Sequence, residues 1–244
     1  MKIDNININY VQYGSGYDIV LLHGWGQNIQ MMKPIGDRLC KHFRVTIIDL
    51  PGYGSSDEPT YPWEVSDYVE MLKKLLDNLK IDNPILIGHS FGGKVSLLYA
   101  SKYKVHKLVL LASPFKKELE KLTFKIKFLK FMKKVPVINK LEGFAKKHIG
   151  STDYRNASDM MRKILVNTVN LDITEDIKKI KCPTLIVWGT NDEAVPIERA
   201  YELEKLIPDS GVVVYNGSSH YAYLENLVDL TRVLRRFFEE DMEE

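Results

Sequence analysis

The chain has 244 residues, 45% of them hydrophobic and 27% charged, with a formal net charge of +2. That composition suits a globular protein with a sizeable core and gives no sign of a strongly polyanionic partner. No run of eighteen apolar residues occurs and the amino terminus lacks a basic stretch followed by an apolar one, so neither a membrane span nor a signal peptide is expected, and a cytoplasmic address is.

Residues 3 to 13 (IDNININYVQY) alternate polar with apolar and run into a GSG turn, which predicts an edge hairpin strand. From residue 19, short apolar runs alternate with longer segments of helical period: IVLLH (19 to 23), RVTIIDL (44 to 50), ILIGHS (85 to 90), KLVLLA (107 to 112), TLIVWG (184 to 189) and GVVVYNG (211 to 217). Runs that are apolar throughout belong to a mostly parallel sheet covered by helices on both faces. One such helix is predicted over 64 to 79, where Val65, Tyr68, Val69, Leu72, Leu75, Leu76 and Leu79 recur at threes and fours. The two cysteines, Cys40 and Cys182, have no CxxC spacing; they are expected to be buried apolar residues, with no zinc site or disulfide framework.

The alternation breaks once, between Pro114 and about Lys181, where no strand is expected and lysine-rich helical stretches dominate. The predicted organisation is an α/β core of residues 1–113 and 182–244, with a helical cap of residues 114–181 inserted after the strand near 107–112. The cap holds 17 Lys and Arg against 8 Asp and Glu, and the rest of the chain 17 against 24, so a basic cap faces an acidic body. Within it, residues 119 to 135 place Leu122, Phe124, Ile126, Phe128, Leu129, Phe131, Met132 and Val135 among six lysines, an amphipathic cationic helix. The plain expectation is an apolar face roofing a pocket with solvated lysines outside. The sharper ones are docking of an acidic carrier protein or contact with an anionic membrane surface. No recognition motif accompanies the charge, so no nucleic-acid partner is expected.

Chemistry concentrates at Gly88-His89-Ser90-Phe91-Gly92, a G-x-S-x-G pattern between an apolar strand and a helical run. A strand-to-helix turn tight enough to expose a nucleophilic serine needs small residues on either side, here Gly88 and Gly92. A hydroxyl becomes a useful nucleophile when a base accepts its proton, so a histidine and an orienting carboxylate should follow in the order Ser, acid, His. Asp192 follows TLIVWG and His220 follows GVVVYNG, each just past the carboxyl end of a strand, where sites of parallel sheets form. Glu193 competes for the acid role; the shorter Asp192, nearer the strand end, is preferred. The oxyanion of acyl transfer needs two backbone N–H donors. One is expected from Phe91, the other from Trp25 in the glycine-rich turn His23-Gly24-Trp25-Gly26.

HGWG, the DLPGYGSSD segment from Asp49 to Asp57, GHSFGG, GTNDEAVP and GSSHYAYLE together resemble the successive signatures of the α/β-hydrolase superfamily over residues 19 to 225. The resemblance implies that fold, a Ser90, Asp192, His220 triad, an oxyanion hole at Trp25 and Phe91, and a structural loop in DLPGYGSSD. His89 is usual beside such nucleophiles and is assigned no proton transfer. The HGWG turn resembles the subgroup that favours ordinary esters, and the pimeloyl-carrier-protein methyl esterases, although the elbow has His89 where that subgroup has tryptophan. The expected function is a serine hydrolase cleaving an ester of a small to medium, largely apolar acyl substrate. Carbon–carbon bond, thioester or lactone hydrolysis on the same triad, an acyl-carrier-protein methyl esterase, and a non-hydrolytic ligand-binding α/β-fold protein are the alternatives. With no Walker loop, dinucleotide motif or HExxH, no cofactor and no metal is expected.

Overall fold

We describe a computed structural model of the protein over residues 1–117 and 157–242. The expected amphipathic helix 119–135 lies outside the described residues. In chain order the elements are β1 (Lys2–Ile3), β2 (Ile6–Asn7), β3 (Tyr10–Tyr13), β4 (Tyr17–Leu22), α1 (Ile29–Leu39), β5 (Phe43–Ile48), α2 (Val65–Asn78), β6 (Ile85–His89), α3 (Phe91–Lys102) and β7 (Lys107–Leu111). Then come α4 (Asp159–Asn170), α5 (Thr174–Ile177), β8 (Thr184–Gly189), α6 (Glu198–Leu206), β9 (Ser210–Tyr215), α7 (Ala222–Glu225) and α8 (Leu227–Phe237).

Seven strands form one sheet in the order β3-β5-β4-β6-β7-β8-β9, parallel throughout except for β3, which runs antiparallel to β5 at the edge. The single edge hairpin strand expected over residues 3 to 13 is divided. Asp4 and Asn5, with φ of 45° and 69°, close a separate β1-β2 hairpin, in a conformation that short polar side chains tolerate. The GSG turn then leads out of β3, but β5 lies between β3 and β4, so those neighbours in sequence do not pair.

The continuous apolar runs are explained by two cores. In β4, Val20 and Leu22 face a cluster with Leu72, Leu76 and Val95 from α2 and α3. Ile19 and Leu21 face the opposite cluster with Met32, Ile35, Leu230 and Leu234 from α1 and α8. Each such side chain contributes about 1.5–3 kcal/mol of burial free energy. The helix read over 64 to 79 is α2, whose N-cap Glu64 donates its backbone N–H to the Asp67 carboxylate at 2.7 Å.

Asp49, at the end of β5, ties the DLPGYGSSD loop to its surroundings. Oδ1 accepts from the Ile29 N–H at the start of α1 (2.7 Å), and Oδ2 accepts from Asn9 Nδ2 (2.7 Å) and Ser55 N–H (2.9 Å). On that loop rests α4, capped by the Ser158 hydroxyl and burying Met161 and Ile164. The contact is so close that a Cβ on Gly52 would lie 2.4 Å from Met161 Sδ.

Candidate active site

Ser90 occupies the turn between β6 and α3 with φ 50° and ψ −112°. A non-glycine residue there costs on the order of 1–3 kcal/mol unless its surroundings hold it. Here the Ser90 N–H donates to Leu111 O of β7 (2.9 Å), and its carbonyl accepts from the Lys94 N–H of α3 (3.0 Å). Gly88 and Gly92 are the places where three backbones converge. A Cβ on Gly88 would fall 2.6 Å from Gly92 O, and one on Gly92 would fall 2.4 Å from Leu22 O in β4.

Asp192 and His220 come from the loops after β8 and β9, which the Asn191 N–H to Ser218 O bond (2.9 Å) fastens together. Asp192 has a fully buried side chain; Oδ1 accepts from the Ala194 and Val195 N–H groups at 2.8 Å each, leaving Oδ2 for His220 Nδ1 at 2.7 Å. An ionised carboxylate only accepts, so Nδ1 of a neutral ring carries the proton and Nε2 keeps its lone pair. Glu193 is exposed and lines the same cavity, but it makes no hydrogen bond to His220.

Trp25 stacks edge-on against Tyr53 and Phe91, with ring centroids 5.3 and 5.6 Å apart. Among the described residues neither the Trp25 nor the Phe91 N–H has an acceptor. The Gly24 N–H donates to Gln27 Oε1 (3.0 Å), while Gly26 lies exposed at φ 70°. Ser90, His220, Trp25 and Phe91 line one cavity of about 660 Å³. No hydrogen bond joins the Ser90 hydroxyl to His220 among the described residues; such contacts commonly tighten when substrate binds.

Two buried histidines complete the surroundings. His23 Nε2 accepts from the Leu50 N–H (3.0 Å), so Nδ1–H donates to Gly24 O (2.7 Å), and burial pulls its pKa down to about 4. His89 is buried entirely, which lowers its pKa to about 3. Its Nε2 lies 3.1 Å from His220 O and its Nδ1 3.1 Å from Gln27 Oε1; a neutral ring has one N–H and donates to one of these oxygens, standing between the loop carrying Trp25 and the loop carrying His220. Gln27 and the bridging part of His89 carry no signal in a single sequence. Cys40 and Cys182 are free and half-buried, not fully buried as expected, because each stands at the edge of its core cluster. Among the described residues no group of His, Cys, Asp and Glu is gathered as a metal site, and no helix is long and apolar enough to cross a membrane.

The alpha/beta hydrolase family model matches residues 19–231, and the chain belongs to that family. Its chemistry is therefore hydrolysis. Similar curated proteins include a pimeloyl-[acyl-carrier protein] methyl ester esterase of Aliivibrio fischeri, 26% identical over 92% of this chain and 94% of that one. Another is a 2-hydroxy-6-oxononadienedioate/2-hydroxy-6-oxononatrienedioate hydrolase of Pseudomonas putida, 29% identical over 96% and 92%. Among solved structures, an esterase from Exiguobacterium antarcticum superposes with a TM-score of 0.78 at 25% identity, over 98% of this chain and 97% of that one.

Proposed function

We propose that the protein is a serine hydrolase that cleaves an ester of a small to medium, largely apolar acyl substrate through an acyl-enzyme on Ser90. The observation that carries this reading is the 2.7 Å Asp192 to His220 contact, which directs the other face of the ring to the cavity that Ser90 also lines. In the first half-reaction the Ser90 hydroxyl proton passes to His220 Nε2 as Oγ bonds to the ester carbon. The negative charge that develops on the carbonyl oxygen is received by the Trp25 and Phe91 N–H groups. Collapse breaks the bond to the alcohol, which leaves with the proton from His220. Water then repeats the sequence on the acyl-enzyme and releases the acid. Asp192 keeps the proton on Nδ1 and offsets the charge that His220 gains. Labelling with a fluorophosphonate, followed by peptide mass mapping, tests the assignment: adduct on Ser90 supports it, and adduct elsewhere with Ser90 untouched overturns it.

The division into a core of 1–113 and 182–244 and a cap of 114–181 belongs to the same proposal, as does a cytoplasmic address, with which the two free cysteines agree. The name of the Aliivibrio fischeri relative and the net +9 of residues 114–181 favour one refinement, delivery of the ester on an acidic carrier protein. Rates on free and carrier-bound esters at two ionic strengths decide it. Docking predicts a loss with added salt on the carrier-bound ester alone, and equal salt sensitivity on both rejects it.

A further inference from the structure

One polar cluster in the cavity takes no part in the reaction proposed above. Lys94 stands one turn into α3 from Ser90 and is only 1% exposed. Its Nζ donates to Thr168 O (2.7 Å) and Leu171 O (2.6 Å), carbonyls at the C-terminal end of α4 that have no amide of the helix to accept from. An ammonium has three N–H groups, and these bonds use two. Among the described residues no carboxylate pairs with it. Asp172, whose charge acts on Lys94, accepts instead from the Thr174 N–H and hydroxyl at 2.9 and 2.6 Å.

On the same residue whose carbonyl meets the ammonium, Thr168 Oγ1 is buried with no hydrogen-bond partner among the described residues. Both residues belong to the wall of the cavity that holds Ser90. Burial pulls the Lys94 pKa down to about 8, so at neutral pH the group still carries its charge. A buried charge with no counter-ion among the described residues, and a buried hydroxyl with no partner among them, are each unfavourable alone. One ligand group answers both.

We propose that Lys94 Nζ and Thr168 Oγ1 form a subsite for a carboxylate that the substrate carries away from its scissile bond. This rests on the ester-hydrolase reading and narrows it. The third N–H of Lys94 and the Thr168 hydroxyl each donate to the carboxylate, and a charged acceptor makes such bonds short and strong. An apolar tail of equal length leaves both donors unsatisfied, the arrangement by which a site rejects an analogue lacking the polar group. Lys117, exposed on the same wall, adds positive charge at the entrance.

The test uses the full-length enzyme and two pairs of esters. One pair compares the mono-p-nitrophenyl ester of a dicarboxylic acid with the p-nitrophenyl ester of the matching monocarboxylic acid. The other places the carboxylate on the alcohol part. The subsite predicts that the anionic member of one pair is preferred about a hundredfold in kcat/KM, about tenfold for each of the two hydrogen bonds to a charged group. Thr168→Val and Lys94→Met should each reduce that anionic-to-neutral ratio about tenfold. Thr168→Val retains the carbonyl that Lys94 holds, so it decides the matter should Lys94→Met fail to fold. Hydrolysis of both members without preference, or an unchanged ratio in Thr168→Val, overturns the subsite and leaves the ester-hydrolase reading standing. Hydrolysis of no ester at all overturns both.

Discussion

The two walls of the cavity are built differently. On the sheet side, Ser90, Asp192 and His220 stand on turns that follow strands and are tied through backbone groups: the Ser90 N–H to β7, Asp192 Oδ1 to the Ala194 and Val195 N–H groups, and the loop after β8 to the loop after β9. On the α4 side the wall is made of side chains, Leu165, Thr168 and Val169, on a helix held by packing on the DLPGYGSSD loop and by side-chain hydrogen bonds from Lys94, Ser158 and Asn167. The contrast separates two tasks. A wall fixed by the sheet suits bond-making, which tolerates little displacement. A wall of helix side chains suits substrate choice, because its residues can change without moving the strands.

The sharpest way to break that division is to alter the sheet side. Ser90→Ala should lower kcat by about 10⁶-fold while circular dichroism and the melting temperature stay near those of the parent, since the turn accommodates a small residue. Asp192→Asn should cost about 10⁴-fold by admitting the wrong His220 tautomer. Glu193→Gln, exposed and unbonded to the ring, should stay within about twofold. Steady-state rates on one activated ester rank the three; a larger loss in Glu193→Gln than in Asp192→Asn would move the carboxylate role.

Stability should also depend on the sheet side through its buried histidines. His23 takes up a proton at about pH 4 in the fold but near its ordinary value when unfolded, so the unfolded state binds more protons between those limits. Stability is then full above about pH 6.5 and falls as pH drops toward 4, by up to about 1.4 kcal/mol per pH unit. Urea midpoints measured across that window should decline in the parent. His23→Gln can still accept from Leu50 N–H and donate to Gly24 O, and should flatten the slope; an equal slope in both would free His23 of the effect.

On the α4 side the expected effect is on selectivity rather than on rate. Leu165→Ala should leave hydrolysis intact and shift the preferred acyl length, each methylene being worth about 1–3 kcal/mol of discrimination. A p-nitrophenyl ester series reads it directly. A uniform loss across all chain lengths would mean that α4 supports the catalytic residues after all.

The legible part of the molecule is the part made of short, contiguous signals. Apolar runs located the strands from β4 onward, and GHSFG, GTND and SSH located the loops after β6, β8 and β9, because those turns place their residues by local chain geometry. Contacts between distant positions stayed hidden. Nothing in the sequence says that Lys94 is buried beneath carbonyls 74 and 77 residues away, that Gln27 meets His89 across 62 residues, or that Asp49 gathers Asn9, the start of α1 and Ser55 of its own loop. The edge position of β3 is legible, but its pairing partner is not, because order in sequence gives no register when another strand inserts between neighbours.

The left-handed backbone at Ser90 has a consequence for how this molecule should fail. A residue that would relax if its neighbours let it go is among the first to move when they loosen, well before the sheet itself comes apart. On slow heating, then, catalytic competence should vanish at a lower temperature than tertiary structure does, and return on cooling from that interval. With Ser90 as the proposed nucleophile, the working state is a tensioned subset of the folded one, in which the sheet refuses Ser90 its easier shape.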